Sequence, residues 1–356
     1  MMPEKSAAIL GVGMMTAVGI GAKQTEASVR AGITRFSETA IHNIRFEPFV
    51  MSILPDEVLP PLEPEVDKIV GITARQSRML RLAAPAIQEA LEDAPDIENI
   101  PLYLGVPEPL PGRPKPVDDL FLEHLSAQSG VHFNVAESKL FPQGRSAGLF
   151  AIEDAMQRLA SGKNQFMIIG GIDSYIDPYL LGTLNMENRI LGPGAMDGFI
   201  PGEGAGFLLV GSLDKIGILG KEPIAKIQAI STGYEKGHRY SEEIYQGDGL
   251  AETFQAMFSF NNGSIGKIQT VYAGLNGENL GAKEWGVAYM RNRDHFNKNF
   301  CFEHPVDCFG DPGAALGTIM TGLSAISLAK KVIDVPCLVW CSSDYGARAA
   351  LIVDMV

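Results

Sequence analysis

The chain of 356 residues is 46% apolar and 20% charged, enough to bury a large core in two packed halves and too apolar for long disorder. Its 29 basic and 42 acidic side chains leave a net charge of −13. Such a field repels phosphate backbones and anionic lipid, so neither nucleic acid nor a membrane is expected as a partner. The four cysteines (Cys301, Cys308, Cys337 and Cys341) lack paired CxxC spacing, which argues against zinc and reads as reduced thiols filling the core. The opening MMPEKSAAILGVG shows no leader pattern, and the expected location is cytoplasmic. The nearest approach to a spanning segment, residues 313–329, is rich in Gly, Ala, Ser and Thr and suits burial against backbone better than lipid.

In chain order, AAILGVG (7–13) predicts a buried strand running into a glycine turn, and 21–31 a short helix ended by Gly32. Residues 38–70, with five prolines and little periodicity, read as an irregular surface excursion. Thr73 is a predicted N-cap for a helix over 74–93, whose apolar face is Met79, Leu82, Ala83, Ala86, Ile87, Ala90 and Leu91. A strand over 101–106, a Pro-rich loop over 107–116, a helix over about 117–128 and a small-residue helix over 145–161 follow. FMIIGG (166–171) and 202–211 then read as strands. The second half predicts strands at 224–233 and 268–273, a helix at 249–259, a Gly/Ala-rich helix at 311–330, a strand at 337–342, a turn at 344–347 and a last strand at 349–354.

Each half thus holds a small-residue helix, an apolar strand, a glycine turn and another apolar strand. That order predicts a duplicated α/β unit, divided at 1–215 and 216–356, with one helix from each half packed between two sheets.

The motifs themselves resemble the β-ketoacyl synthase branch of the thiolase superfamily. GVGMMTAVGIGAKQTEASVRAGITRF is similar to its N-terminal pattern, and RQSRMLRLAAPAIQEALEDA to the Arg-rich helix that follows. IIGGIDS (168–174) and Asp197 with GFIPGEGAGFLL (198–209) resemble its two glycine signatures. The resemblance implies a five-layer αβαβα sandwich, a homodimer built edge to edge through a central sheet, and no cofactor.

It also implies where the chemistry would sit. Active members of that family hold a cysteine at the start of a buried helix, where the dipole favours the thiolate that takes the acyl group. Two histidines assist decarboxylation and hold the developing oxyanion. In this sequence Arg145 stands at the cysteine position, Asn276 at the first histidine and Asp311 at the second. None of the six histidines falls at a family position. Arginine is no nucleophile, Asn276 cannot shuttle a proton, and an ionised Asp311 repels an oxyanion.

A guanidinium at a buried helix start must find an anion. The candidates are Asp311 and Glu278 within the chain, or an external acyl carboxylate or carrier-arm phosphate; solvent exposure is the remaining reading. Ser146 reads as a helix-packing serine before a displaced nucleophile. Cys308 and His304, four apart near a strand end, are too distant for a thiol–imidazole pair if extended. Asp197 and Glu203 read as structural, and Tyr345 in the closing loop completes the pocket candidates. The expected function is that of a non-condensing, ketosynthase-like pseudo-enzyme acting by binding. It would be a partner subunit of the chain-length-factor kind or an adaptor, for instance associated with secretion. The other reading is a residual acyltransferase or thioesterase acting on acyl thioesters through Ser146 or an unmatched thiol. Expected partners are a second copy, a ketosynthase-fold subunit, or an acyl carrier protein or acyl thioester.

Overall fold

The computed structural model describes residues 6–94, 99–118, 120–213, 222–259 and 265–356. The boundary read at 215/216 lies outside the described residues. The chain opens with β1 (Ala7–Thr16), β2 (Gly19–Ile20) and α1 (Ala22–Arg30). The stretch read as irregular instead carries a hairpin, β3 (Ser37–His42) and β4 (Pro48–Met51), and a one-turn helix, α2 (Pro64–Asp67). The hairpin is two-stranded, its second strand opens on Pro48 and a proline-rich stretch follows, so no clean two-residue alternation announces it. Next come α3 (Ala74–Leu91), β5 (Leu102–Gly105), α4 (Phe121–Ser129) and β6 (Lys139–Phe141). Thr73 closes a capping box with Gln76 at the start of α3, as its N-cap reading requires.

The central elements are α5 (Ala147–Ala160), β7 (Phe166–Ser174), α6 (Pro178–Met186) and β8 (Glu203–Ser212). The second half runs β9 (Ala225–Tyr234), α7 (Asp248–Phe258), β10 (Ile268–Ala273), α8 (Asn279–Asn292), β11 (Phe296–Glu303), α9 (Val306–Phe309), α10 (Leu316–Ala329), β12 (Cys337–Ser342) and β13 (Ala347–Asp354).

Five strands from the first half lie in the order β6-β5-β7-β8-β1 and five from the second in the order β9-β13-β12-β10-β11. The two sets meet where Ala7–Ile9 of β1 pair antiparallel with Ile227–Ala225 of β9. Helices α3 and α4 cover the outer face of the first set, α7 and α8 that of the second, and α5 and α10 fill the space between. This is the five-layer α/β sandwich of the thiolase-like fold. Small residues let the middle helices touch: a Cβ on Gly148 of α5 would lie 2.7 Å from the Thr318 methyl of α10. Among the described residues no helix is long and apolar enough to cross a membrane; α10 is short and buried between the sheets.

Candidate functional site

The two middle helices begin side by side, and each start carries one charged group. Gly144–Ser146 form a 3-10 turn that leads into α5. Gly144 has φ +55, and a Cβ there would meet the Glu108 carboxyl at 2.8 Å, so only glycine fits. This turn aims Arg145 inward, 5% exposed. Opposite it, Asp311 precedes the turn Gly313–Ala315 that opens α10, and its Oδ1 accepts the Gly313 N–H at 2.9 Å.

Arg145 Nε donates to Asp311 Oδ2 at 2.6 Å, its Nη1 lies 3.1 Å from Asp344, and its Nη2 donates to the Tyr175 hydroxyl at 3.4 Å. Asn276 Nδ2 donates to both Asp311 Oδ2 and Glu278 Oε2 at 3.0 Å. Glu278 is gripped by the Arg189 fork at 2.8 and 2.9 Å and by Arg239 at 2.8 Å. The same Arg189 forks onto Asp344 at 2.9 and 3.0 Å. Three guanidinium groups therefore interleave with three carboxylates, and the Phe199 ring lies under Arg145 and Arg189.

Burial is the largest single influence and opposes the charge on Arg145, but Asp311, Tyr175, Asp344 and Glu278 together outweigh it and hold the proton well above the ordinary arginine value. At Asp344 burial pushes up, while Arg145 and Arg189 pull the carboxyl well below the carboxylate range. Among the described residues no arginine forks onto Glu108. Burial, followed by repulsion from Asp344, pushes its carboxyl up to about 7. Its Oε1 accepts the Tyr345 N–H at 3.4 Å, and the Tyr345 ring packs tilted against Tyr240 with ring centroids 4.8 Å apart.

The sequence candidates Arg145, Asn276, Glu278 and Asp311 are thus brought into one cluster. Tyr345 lies beside it, at Glu108. Ser146 faces away: its hydroxyl donates to the Ala347 carbonyl at 3.0 Å and its N–H to Ser343. His304 and Cys308 do not meet as an extended pair. Cys308 lies on the short α9 rather than near a strand end, its thiol turns to the Val29 carbonyl, and His304 Nδ1 lies 2.7 Å from Asp307. Glu203 is held by Arg78 at 2.6 and 2.9 Å and also accepts the Ser174 hydroxyl and Leu54 N–H. Asp197 accepts the Asn279 N–H at the start of α8. Sequence reasoning missed Arg189, Arg239, Asp344 as an ionic partner, and Glu108. The one available signal was the Asp344 turn, already matched to the closing loop.

Two small cavities flank the cluster, of about 60 Å³ on the Glu108–Tyr345 side and about 40 Å³ on the Asn276–Arg348 side. Among the described residues no cysteine or histidine lines either one. Each has room for a few waters, against the ~300 Å³ or more of a typical ligand pocket. Cys341, a buried thiol of β12, is close enough to feel Asp311, but burial above all pushes it far toward the protonated form. The cluster can hold charge and orient water; among the described residues it presents no thiolate and no imidazole pair.

Residues 144–215 match the family model of the β-ketoacyl synthase N-terminal domain. No curated protein matches the chain. Among solved structures it is similar to the ketosynthase from module 6 of the bacillaene synthase of Bacillus subtilis 168, at 13% identity and TM-score 0.80, over 99% of this chain and 72% of that one. The ishigamide ketosynthase/chain length factor matches at 15% identity and TM-score 0.78, over 99% and 100% of the two chains. A type II polyketide synthase ketosynthase in complex with its acyl-carrier protein, AntDE:AntF, matches at 15% identity and TM-score 0.75, over 99% and 100%. At these identities the structural likeness shows the fold.

Proposed function

We propose that this ketosynthase-like protein of the thiolase superfamily is a non-condensing subunit that acts by binding, with residues 1–215 and 216–356 as its two thiolase-like halves. Its partner is a ketosynthase-fold protein, in the manner of the chain length factor named among its structural relatives, or a second copy of itself. The acyl carrier protein of such a system is a further candidate partner, and an adaptor role elsewhere is the second form of the same reading.

The observation that carries this reading is the neutralised cluster at the start of α5. Where a condensing enzyme needs a sulfur anion and space for an acyl chain, Arg145 is tied to Asp311 and Asp344, beside cavities of about 60 and 40 Å³. A surface for binding is available elsewhere. The hairpin tip holds Ile44 83% and Phe46 88% exposed, and Ile44 shares a groove of about 320 Å³ with Met186 and Leu191. Grouped apolar exposure of this kind marks contact surfaces.

The test is prolonged incubation with acyl-CoA and malonyl-CoA followed by intact-mass measurement. The expected result is an unchanged mass and no decarboxylation. An acyl adduct abolished by Ser146→Ala or Cys308→Ala would replace the binding reading with residual acyl transfer.

A further inference from the structure

The tip of the β3–β4 hairpin holds one large side chain out into solvent. Phe46 donates its N–H to the Asn43 carbonyl at 3.0 Å, and Asn43 donates its own to the Glu47 carbonyl at 2.9 Å, which closes a three-residue turn. The Asn43 side chain fixes that turn: Oδ1 accepts the Arg45 and Glu47 N–H groups at 2.8 and 3.0 Å, and Nδ2 donates to Glu47 Oε2 at 2.9 Å. The last turn residue, Phe46, has the left-handed backbone, with φ +62. Glycine is the residue that suits this position. A phenylalanine there costs backbone energy, and at 88% exposure it offsets little of that cost by packing within the chain. A strained and exposed aromatic points to a contact outside the chain.

The groove beside the tip encloses about 320 Å³ between the hairpin and the 185–195 segment, and it shares no lining residue with the two cavities at Arg145. A void of ~150 Å³ takes a benzene ring, so a phenyl group fits here. Ile44 and Arg45 line the groove, while Phe46 projects next to it. Knob and hole therefore lie side by side on one face. A two-fold contact requires that arrangement, because the same patch serves both copies. Charge agrees with a second copy as occupant. Two chains of net charge −13 repel each other at a distance, but the charged lining of this groove is one residue of each sign, Arg45 and Glu47. Area agrees as well. Ile44 is 83% exposed, Phe46 88%, Met186 71%, Leu191 40% and Met196 88%. Together they expose roughly 700 Å², near the ~800 Å² that each partner gives to a standard interface.

We propose that this face is a contact between two copies of the chain, with Phe46 of each seated in the groove of the other. The inference rests on the binding role proposed above and names the partner for that surface.

Sedimentation of the full-length protein over a concentration series tests it. Phe46→Gly should raise the dissociation constant of self-association at least about tenfold and so sediment at about half the wild-type mass where wild type is associated. Because glycine suits the turn, this variant should keep or raise the wild-type Tm, which separates lost association from lost folding. Met186→Glu, a charge on the exposed rim of the groove, should weaken association without touching the hairpin. With p-benzoylphenylalanine in place of Phe46, illumination of a mixture of unlabelled and isotope-labelled protein should join position 46 of one copy to the 185–195 segment of another. Equal masses for wild type and Phe46→Gly at every concentration would overturn the proposal and leave the face to a different protein. A crosslink confined to one copy, or a lower Tm for Phe46→Gly, would overturn it too, since the ring would then pack within its own chain. None of these outcomes bears on the acyl-CoA incubation, which tests the binding role by itself.

Discussion

Replacing Arg145 with methionine keeps a side chain of similar reach and removes the cation from the centre of the molecule. The guanidinium donates to Asp311 at 2.6 Å and lies 3.1 Å from Asp344. Asp344 would keep Arg189 at 2.9 Å. Asp311, fully buried, would keep only the neutral Asn276 amide and the Gly313 N–H. Stripping a buried carboxylate of its counter-charge costs about 3–5 kcal/mol. With an unfolding entropy of about 2 cal/mol/K per residue, a chain of this length should lose about 4–7 °C in Tm. Removing both charges, in R145M/D311N, should recover about half of the loss or more, because no unpaired ion then remains. Denaturant titration and thermal scans of wild type, both single variants and the double variant give the coupling energy. The loss should persist at high salt, since the pair is shielded from mobile ions. An R145M variant within about 0.5 kcal/mol of wild type, the range of ordinary surface substitutions, would refute the claim that Arg145 is an integral part of the cluster. So would a double variant less stable than either single one.

Glu108 makes stability depend on pH. Its carboxyl lies near 7 when folded and near 4.5 when free, so the folded form holds a proton that the unfolded chain releases between those values. That contribution is complete below about pH 4.5 and is lost as pH rises through about 7. Glu108→Gln, neutral throughout, should match wild type near pH 5 and exceed it by about 2 kcal/mol at pH 8 once partial screening is included. A difference that does not change with pH would exclude this origin. Arg145→Cys puts a thiol at the start of α5 next to Asp311 and Asp344, whose charges Arg145 no longer offsets. Its thiolate should form only above the ~8.5 of free cysteine, in contrast to thiols activated by a helix start. The pH profile of iodoacetamide alkylation measures this, and half-maximal reaction below about pH 7.5 would contradict it.

The sequence revealed the layers more readily than the loops between them, for identifiable reasons. Strands such as Phe166–Ser174 and Cys337–Ser342 are buried along nearly their whole length and appear as unbroken apolar runs. The Ala74–Leu91 helix shows both its cap and its periodic face. By contrast, α8 buries only Glu284, Ala288 and Asn292, a stripe with two polar members of three, so no apolar period marks it. The edge strand β11, with Asn297, Lys298 and Asn299 in its middle, has the polar character that protects an edge and hides a strand from pattern reading. α6 is set by Asp177, which caps the Tyr179 and Leu180 N–H groups, and by Pro178 at its first position, rather than by a strong apolar face. At the site, Arg145, Asn276 and Asp311 were legible because short motifs surround them. Arg189 and Arg239 were not, since each is a lone arginine in a loop. Only the folded chain brings Arg189 within reach of Glu278, 89 positions away, and of Asp344, 155 away.

An arginine at the start of a buried helix faces the positive end of its dipole and should be unstable there. Random drift after loss of a nucleophile would favour a small or apolar residue at that place, because such a residue needs no counter-charge. The cluster instead supplies one from the neighbouring helix. Asp311 sits at the start of α10, where a carboxylate is favoured by that helix and accepts the Gly313 N–H, and its second oxygen meets Arg145. One acid thus stabilises a helix start and offsets the unfavourable placement of the base at the other. Arg189 shares Asp344 with Arg145 and Glu278 with Arg239, so each charge depends on at least one other in the set. Mutual dependence of this kind is what a single substitution disrupts, which is why the cluster reads as a structural centre of this chain.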